Sequence, residues 1–150
     1  MLQPRSILVP IDFSTSSYNL FELAHRLAKI NNATLHVIHV IDSLRHDRNH
    51  PKISDVNFIH MLRKKNAKEE LKKFKFEVPH SEIEITEVLL EGEPHKEILN
   101  YASKNDIDMI VVGSHGWTNL PHLAIGGIAD KIMLQNDVPV VCLKSNLSFI

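Results

Sequence analysis

The stretch GSHGWTNLPHLAIGG, residues 113–127, holds four of the chain's five glycines. Gly113 and Gly116 stand three apart at its start, and Gly126 and Gly127 are adjacent at its end. Glycine accepts positive φ and lets a ligand reach bare backbone. A helix opening at Gly126-Gly127 would present unpaired N–H groups and the positive end of its macrodipole. Two such surfaces facing one crevice suit the oxygens of a di- or triphosphate. The spacing matches neither GxxxxGK[ST] nor a GxGxxG after the first strand, so glycines that only shape turns stand as the alternative.

Asp12 is a second candidate. Its carboxylate could accept hydrogen bonds from a purine or a ribose, or it could help cap a helix beginning near Ser14. Ten histidines invite a metal reading. His36 and His39 lie three apart in a strand, so they point to opposite faces and cannot share an ion. His46 and His50 could share one only in a helical loop, with Asp42 or Asp47 beside them. His115 suits either phosphate contact or a plain loop, and His122 reads as a surface loop histidine. Trp117 could be a handle for a partner, a lid or a packing residue. No metal site and no catalytic residue is assigned. The glycine stretch has no lysine, and no nucleophile, base and orienting group stand together in the pattern, which speaks against an efficient enzyme.

The elements that must position these residues are legible in the periodicity. Residues 6–12, SILVPID, form a short apolar run that reads as a buried strand. Ser14, Thr15 and Ser16 can cap the helix that follows, with Leu20, Leu23, Ala24, Leu27 and Ala28 at helical spacing and Asn31-Asn32 at its end. A second strand covers 33–41. Residues 42–54 read as a loop, and a helix from about Val56 to Phe76 places Ala67, Leu71 and Phe74 on its inner stripe. Its basic stretch, 63–76, reads as a solvated face with Glu69 and Glu70 paired to Lys72 and Lys73, with anion or membrane-surface contact as the alternative. A third strand spans 83–91. Gly92 turns the chain, and Pro94 opens a helix that buries Ile98, Tyr101 and Ala102. Strands at 108–113 and 138–144 flank a last helix with Ile125, Ile128, Ala129, Ile132 and Met133 on its stripe.

Five strands alternating with helices predict an α/β fold, a parallel sheet covered on both faces through right-handed crossovers. Ligands of such sheets bind beyond the carboxyl ends of the strands, where the strand order reverses. That rule places Asp12, Val40 and Gly113 near one crevice.

The blocks ILVPIDFS, LHVIHVID, EGEPHKEIL, DMIVVGSHG and VPVVCLK resemble those of the universal stress protein family. G-x2-G-x9-G after the fourth strand is similar to that family's nucleotide signature, through Gly113, Gly116 and Gly126. The resemblance implies a Rossmann-like sandwich with a five-stranded sheet of order 3-2-1-4-5, and a homodimer. It implies bound ATP or another adenine nucleotide, with Mg as a candidate companion. Pro10, Ile11 and Asp12 would lie by adenine and ribose, with Val40 packed on the base. Gly113, Ser114, His115, Gly116, Gly126, Gly127 and Ile128 would line the ribose and phosphates. The family's closing Ser or Thr corresponds to Gly127, a departure that weakens phosphate contact without removing the backbone N–H. The last strand would make the dimer contact through Val138, Val140, Val141, Cys142 and Leu143, and an apolar edge strand invites such pairing.

With 150 residues the chain suits one domain, 1–150. Its net charge of −1 gives no general attraction to nucleic acid or anionic lipid. The N-terminus resembles neither a signal peptide nor a membrane span. One cysteine excludes an internal disulfide framework and fits a reducing compartment, so the expected location is the cytoplasm. The functional expectation is a nucleotide-binding stress-response protein acting as a dimeric switch on an unknown partner. A dimeric interaction protein without nucleotide, and a slow ATP hydrolase, are the alternatives.

Overall fold

Strand β1, Ser6–Pro10, occupies the middle of the sheet, and Ile7, Leu8 and Val9 are completely buried. A strand covered on both faces must be apolar without alternation, which is why this run carries no polar residue between Ser6 and Pro10. The computed structural model describes residues 3–43, 53–77, 83–114 and 127–144. The remaining elements follow as α1 Thr15–Asn31, β2 Thr34–Asp42, α2 Ile53–Glu77, β3 Ile85–Gly92, α3 Pro94–Lys104, β4 Met109–Gly113, α4 Gly127–Gln135 and β5 Val140–Leu143. All strand pairs are parallel, and the order is β3-β2-β1-β4-β5. The expected α/β sandwich is the observed one.

Side chains alternate across the sheet and feed two cores. On one face Ile7, Val9, Leu35, Val37 and Val111 meet Phe21 and Ala24 of α1 and Phe74 of α2. On the other, Leu8, Ile38, Ile110 and Val112 meet Ile98 of α3 and Ile132 of α4. His36 and His39 fall on opposite faces accordingly. His36 bonds Tyr101 of α3 at 2.8 Å, and the His39 ring packs against Phe13 at a tilt of 40°.

Several boundaries move by tertiary pairing. The loop expected over 42–54 is shorter at both ends. Asp42 stays in β2 because it pairs with Gly92 of β3, and α2 begins at Ile53 rather than Val56. His46, Asp47 and His50 lie outside the described residues. Gly92 has φ of +149° and a Cβ there would lie 2.6 Å from Glu97 Oε1, so the turn requires glycine. Pro94 takes the first turn of α3, as expected. β5 starts two residues later than its apolar run, since Pro139 has no N–H and contributes only its carbonyl, 3.0 Å from Ile110 N.

Candidate functional site

The carboxyl ends of β1, β2 and β4 lie side by side. Pro10 pairs with Ile38 and Leu8 with Ile110. Carried two residues past Pro10 and four past Leu8, those registers set Asp12 level with both Val40 and Ser114. β1 stands where the strand order reverses, the position at which open α/β sheets leave a crevice.

Asp12 is held by the start of α1. Its Oδ1 accepts the Ser14 N–H at 3.0 Å, the Ser17 hydroxyl at 2.8 Å and the Ser14 hydroxyl. The Asp12 N–H donates to Ser17 Oγ at 3.1 Å, and Ser17 is buried. Ser14 is the N-cap of α1, yet its side chain makes no capping bond, because the hydroxyl serves Asp12 instead. The Asp12 Oδ2 has no partner among the described residues. The turn between them is tight: Phe13 adopts φ of 64°, in the left-handed region that costs a side chain about 1–2 kcal/mol. Its ring is compensated by packing on His39 at 4.4 Å and Phe74 at 6.4 Å.

Below this turn, His39 Nδ1–H donates to the Ile11 carbonyl at 2.7 Å. Burial holds His39 below the ordinary value of 6.5, against the pull of that bond and of Asp12. His36 is lowered for the same main reason, burial, opposed by Glu84. The sign follows from linkage. A histidine depressed in the fold binds fewer protons there than in the unfolded chain. Both therefore favour the folded state above about pH 6.5 and stop doing so as pH falls through that value toward their folded pKa. Melting temperature is expected to decline on acidification below pH about 6.5, and a His39→Asn/His36→Asn double variant should flatten that limb. Parallel pH–melting curves for both proteins would count against the assignment.

The expected site residues divide clearly. Ile11 is completely buried, Val40 is 1% exposed within the α3/α4-side core, and Pro10 is buried, so these three offer main chain rather than side chains. Thr34 N–H bonds Arg5 O and Ile38 O receives the Ile11 N–H, whereas Leu35 N–H bonds Glu84 O on the β3 side. Val40 shares parity with Thr34 and Ile38, so its N–H and C=O face the β1 side. Ile11 to Ile38, at 2.8 Å, is the last described rung there, and Val40 comes after it. Gly113 ends β4, and the neighbouring Ser114 is buried with its N–H on Leu143 O at 2.9 Å. Gly127 is the first residue of α4, where a Cβ would meet nothing within 4 Å. Ile128 packs partly buried against the α3/α4-side core. His115, Gly116, Trp117, His122, Ile125 and Gly126 lie outside the described residues. Among the described residues no three His, Cys, Asp or Glu side chains are grouped to hold a metal ion.

A sequence model of the Universal stress protein family matches residues 4–144. The chain belongs to the universal stress protein family. It is 30% identical over 140 residues to Universal stress protein MJ0531 of Methanocaldococcus jannaschii, covering 93% of this chain and 82% of that protein. Universal stress protein UspA from Lactobacillus plantarum superposes with a TM-score of 0.78 at 26% identity, covering 92% of this chain and 96% of that one. The universal stress protein from Archaeoglobus fulgidus in complex with dAMP superposes at 0.60 with 21% identity, covering 95% of this chain and 98% of that one, a likeness of fold.

In this universal stress protein, the serine brace is only half legible in the sequence. Ser14 and Ser16 read as caps, and Ser17 was not singled out, although an Asp followed by serines at +2, +4 and +5 is the available signal. The His39 buttress carries no local signal, because its partners Ile11 and Phe13 lie in another strand and turn. No described helix is long and apolar enough to cross a membrane.

Proposed function

We propose that this universal stress protein binds an adenine nucleotide, ATP, ADP or AMP, beyond the carboxyl ends of β1, β2 and β4, and works as a dimeric switch or interaction module. The observation that carries the reading is the Asp12 carboxylate. Serines fix it through one oxygen and leave the other to accept a ribose hydroxyl. The Val40 N–H and C=O, which have no main-chain partner on the β1 side among the described residues, supply a donor and an acceptor matched to the ring nitrogen and amino group of adenine. Pro10 and Ile11 shape the wall beside the base. Gly113, Ser114, His115, Gly116, Gly126, Gly127 and Ile128 are assigned to ribose and phosphates, with helix α4 aimed at the anion. A family structure in complex with dAMP supports the ligand class. Mg would ride on the phosphates, with Asp12 a candidate carboxylate.

The edge strand β5 is assigned to a homodimer: Val140 and Val141 are half-buried, Val138 is partly buried and Cys142 is exposed in the single chain, whereas Leu143 is already buried. Calorimetric titration of the purified protein with ATP, ADP and AMP should show saturable binding, and sedimentation at micromolar concentration should show a dimer. No saturable binding at millimolar ligand ends the nucleotide reading, and a monomer ends the dimeric one. The second reading, a dimeric interaction protein that takes no nucleotide, draws on Gly127, which stands where the family places a hydroxyl. Slow hydrolysis would appear as phosphate release that depends on Gly116 and Gly126.

A further inference from the structure

Six large apolar side chains are exposed among the described residues, and three of them cluster on one element: Phe58 (62%), Met61 (69%) and Leu62 (42%) of α2. Their spacing of three and four places them on one stripe of the helix. The opposite stripe faces the protein. Ala67, Leu71 and Phe74 are buried, and His60 and Lys64 both reach Glu91 at the end of β3, at 3.0 and 3.5 Å. Those two contacts fix the rotation of the helix, so the apolar triad cannot turn inward. Continued along the axis, the outward stripe passes through Lys65, Lys68 and Lys72, all exposed and with no ion pair among the described residues. Glu69 is the one acid beside them.

We propose that this outer face of α2 docks on an anionic bilayer surface, with Phe58, Met61 and Leu62 entering the headgroup boundary and the three lysines lying over lipid phosphates. A helix carrying a solvent-facing apolar cluster followed by unpaired cations has the chemistry of an interfacial contact. A second copy fits poorly, since pairing two such faces would bring the lysine rows together or against the apolar triads. The net charge of −1 does not oppose the contact, because attraction decays within about 10 Å and is set by the local patch. This face is separate from the nucleotide crevice, and the inference does not rest on that reading.

The test is flotation of the full chain with vesicles of phosphatidylcholine alone or with a third of the lipid replaced by phosphatidylglycerol. Binding to the anionic vesicles only, weakened by added salt, is expected. Each lysine is worth about fivefold in partitioning, so Lys65→Glu/Lys68→Glu/Lys72→Glu should reduce it by about a hundredfold or more. Phe58→Ser/Met61→Ser/Leu62→Ser should also abolish recovery, while circular dichroism and melting show both variants folded. Equal recovery with the two vesicle types, or unchanged recovery in either variant, overturns the proposal. Absence of vesicle binding does so too. A changed sedimentation coefficient in the serine variant would assign it to a second copy and overturn the proposal equally.

Discussion

Asp12→Ala is expected to weaken ATP binding by about ten- to a hundredfold while the chain stays folded. The magnitude comes from a hydrogen bond to a charged group, about 1.5–3 kcal/mol, converted at about 1.4 kcal/mol per factor of ten. The variant also removes the acceptor of three donors, the Ser14 N–H and the hydroxyls of Ser14 and Ser17. Asp12 is only partly buried, so water can replace much of what those donors lose, and the stability cost should stay near about 1–2 kcal/mol. A melting curve beside the titration separates the two effects. Ser17→Ala sharpens the test. It leaves the carboxylate in place but removes one of its braces and the acceptor of the Asp12 N–H. A smaller, severalfold loss of ATP affinity is expected there, because the charge remains and only its placement loosens. Unchanged affinity in Asp12→Ala would detach this carboxylate from any nucleotide role.

Gly127→Ser is expected to tighten ATP binding about tenfold or more, with a smaller gain for AMP. A hydroxyl at the first residue of α4 could donate to a phosphate oxygen at the proposed site alongside the N–H groups of the helix's first turn. That bond is worth about 1.5–3 kcal/mol. Removing a glycine from the helix start lowers the ordering cost by about a further 0.5–1 kcal/mol. The structure accommodates the change, since a Cβ at Gly127 would meet nothing within 4 Å among the described residues. The variant should therefore fold as well as the parent. Titration of both proteins with ATP, ADP and AMP is the measurement, and equal affinities would show that the missing hydroxyl has no bearing on the ligand. A gain restricted to ATP and ADP would locate the β- and γ-phosphates at this helix end.

The two predictions rest on residues that were legible to different degrees. Gly127 is marked by the glycine stretch itself and by the point at which an apolar helical stripe begins. Asp12 could be placed at the end of a strand, yet its environment could not be derived, because an Asp followed by serines is equally a helix cap. In the fold the Ser14 hydroxyl turns away from the helix amides and toward the carboxylate, whose Oδ1 also accepts the Ser14 N–H at the start of α1. His39 was read only as unable to share an ion with His36. Its bond to Ile11 O depends on two strands meeting with a register that no local pattern encodes.

α2 shows the same division. Its buried residues Ala67, Leu71 and Phe74 are apparent from spacing, and the basic stretch that contains them, 63–76, reads as a solvated face with anion or membrane-surface contact as the alternative. The outward triad Phe58, Met61 and Leu62 is not apparent, because an apolar cluster in a helix reads by default as core. Only the pairing of His60 and Lys64 with Glu91, some thirty residues away in sequence, decides which stripe faces out.

By itself the chain determined what depends on neighbours along it: the five strands and four helices of the described residues, their order, the Gly92 turn and the family. Periodicities of two and of about three and a half are local properties, and short connections between them leave few topologies. Tertiary structure alone decided, among the described residues, which polar groups are used up and which are left without a partner, namely Oδ1 against Oδ2 of Asp12, the Val40 main chain past the last described rung of β1, and the outer face of α2. Hydrogen bonding and burial are settled by contacts between residues distant in sequence, and those exist only once the sheet has set its register.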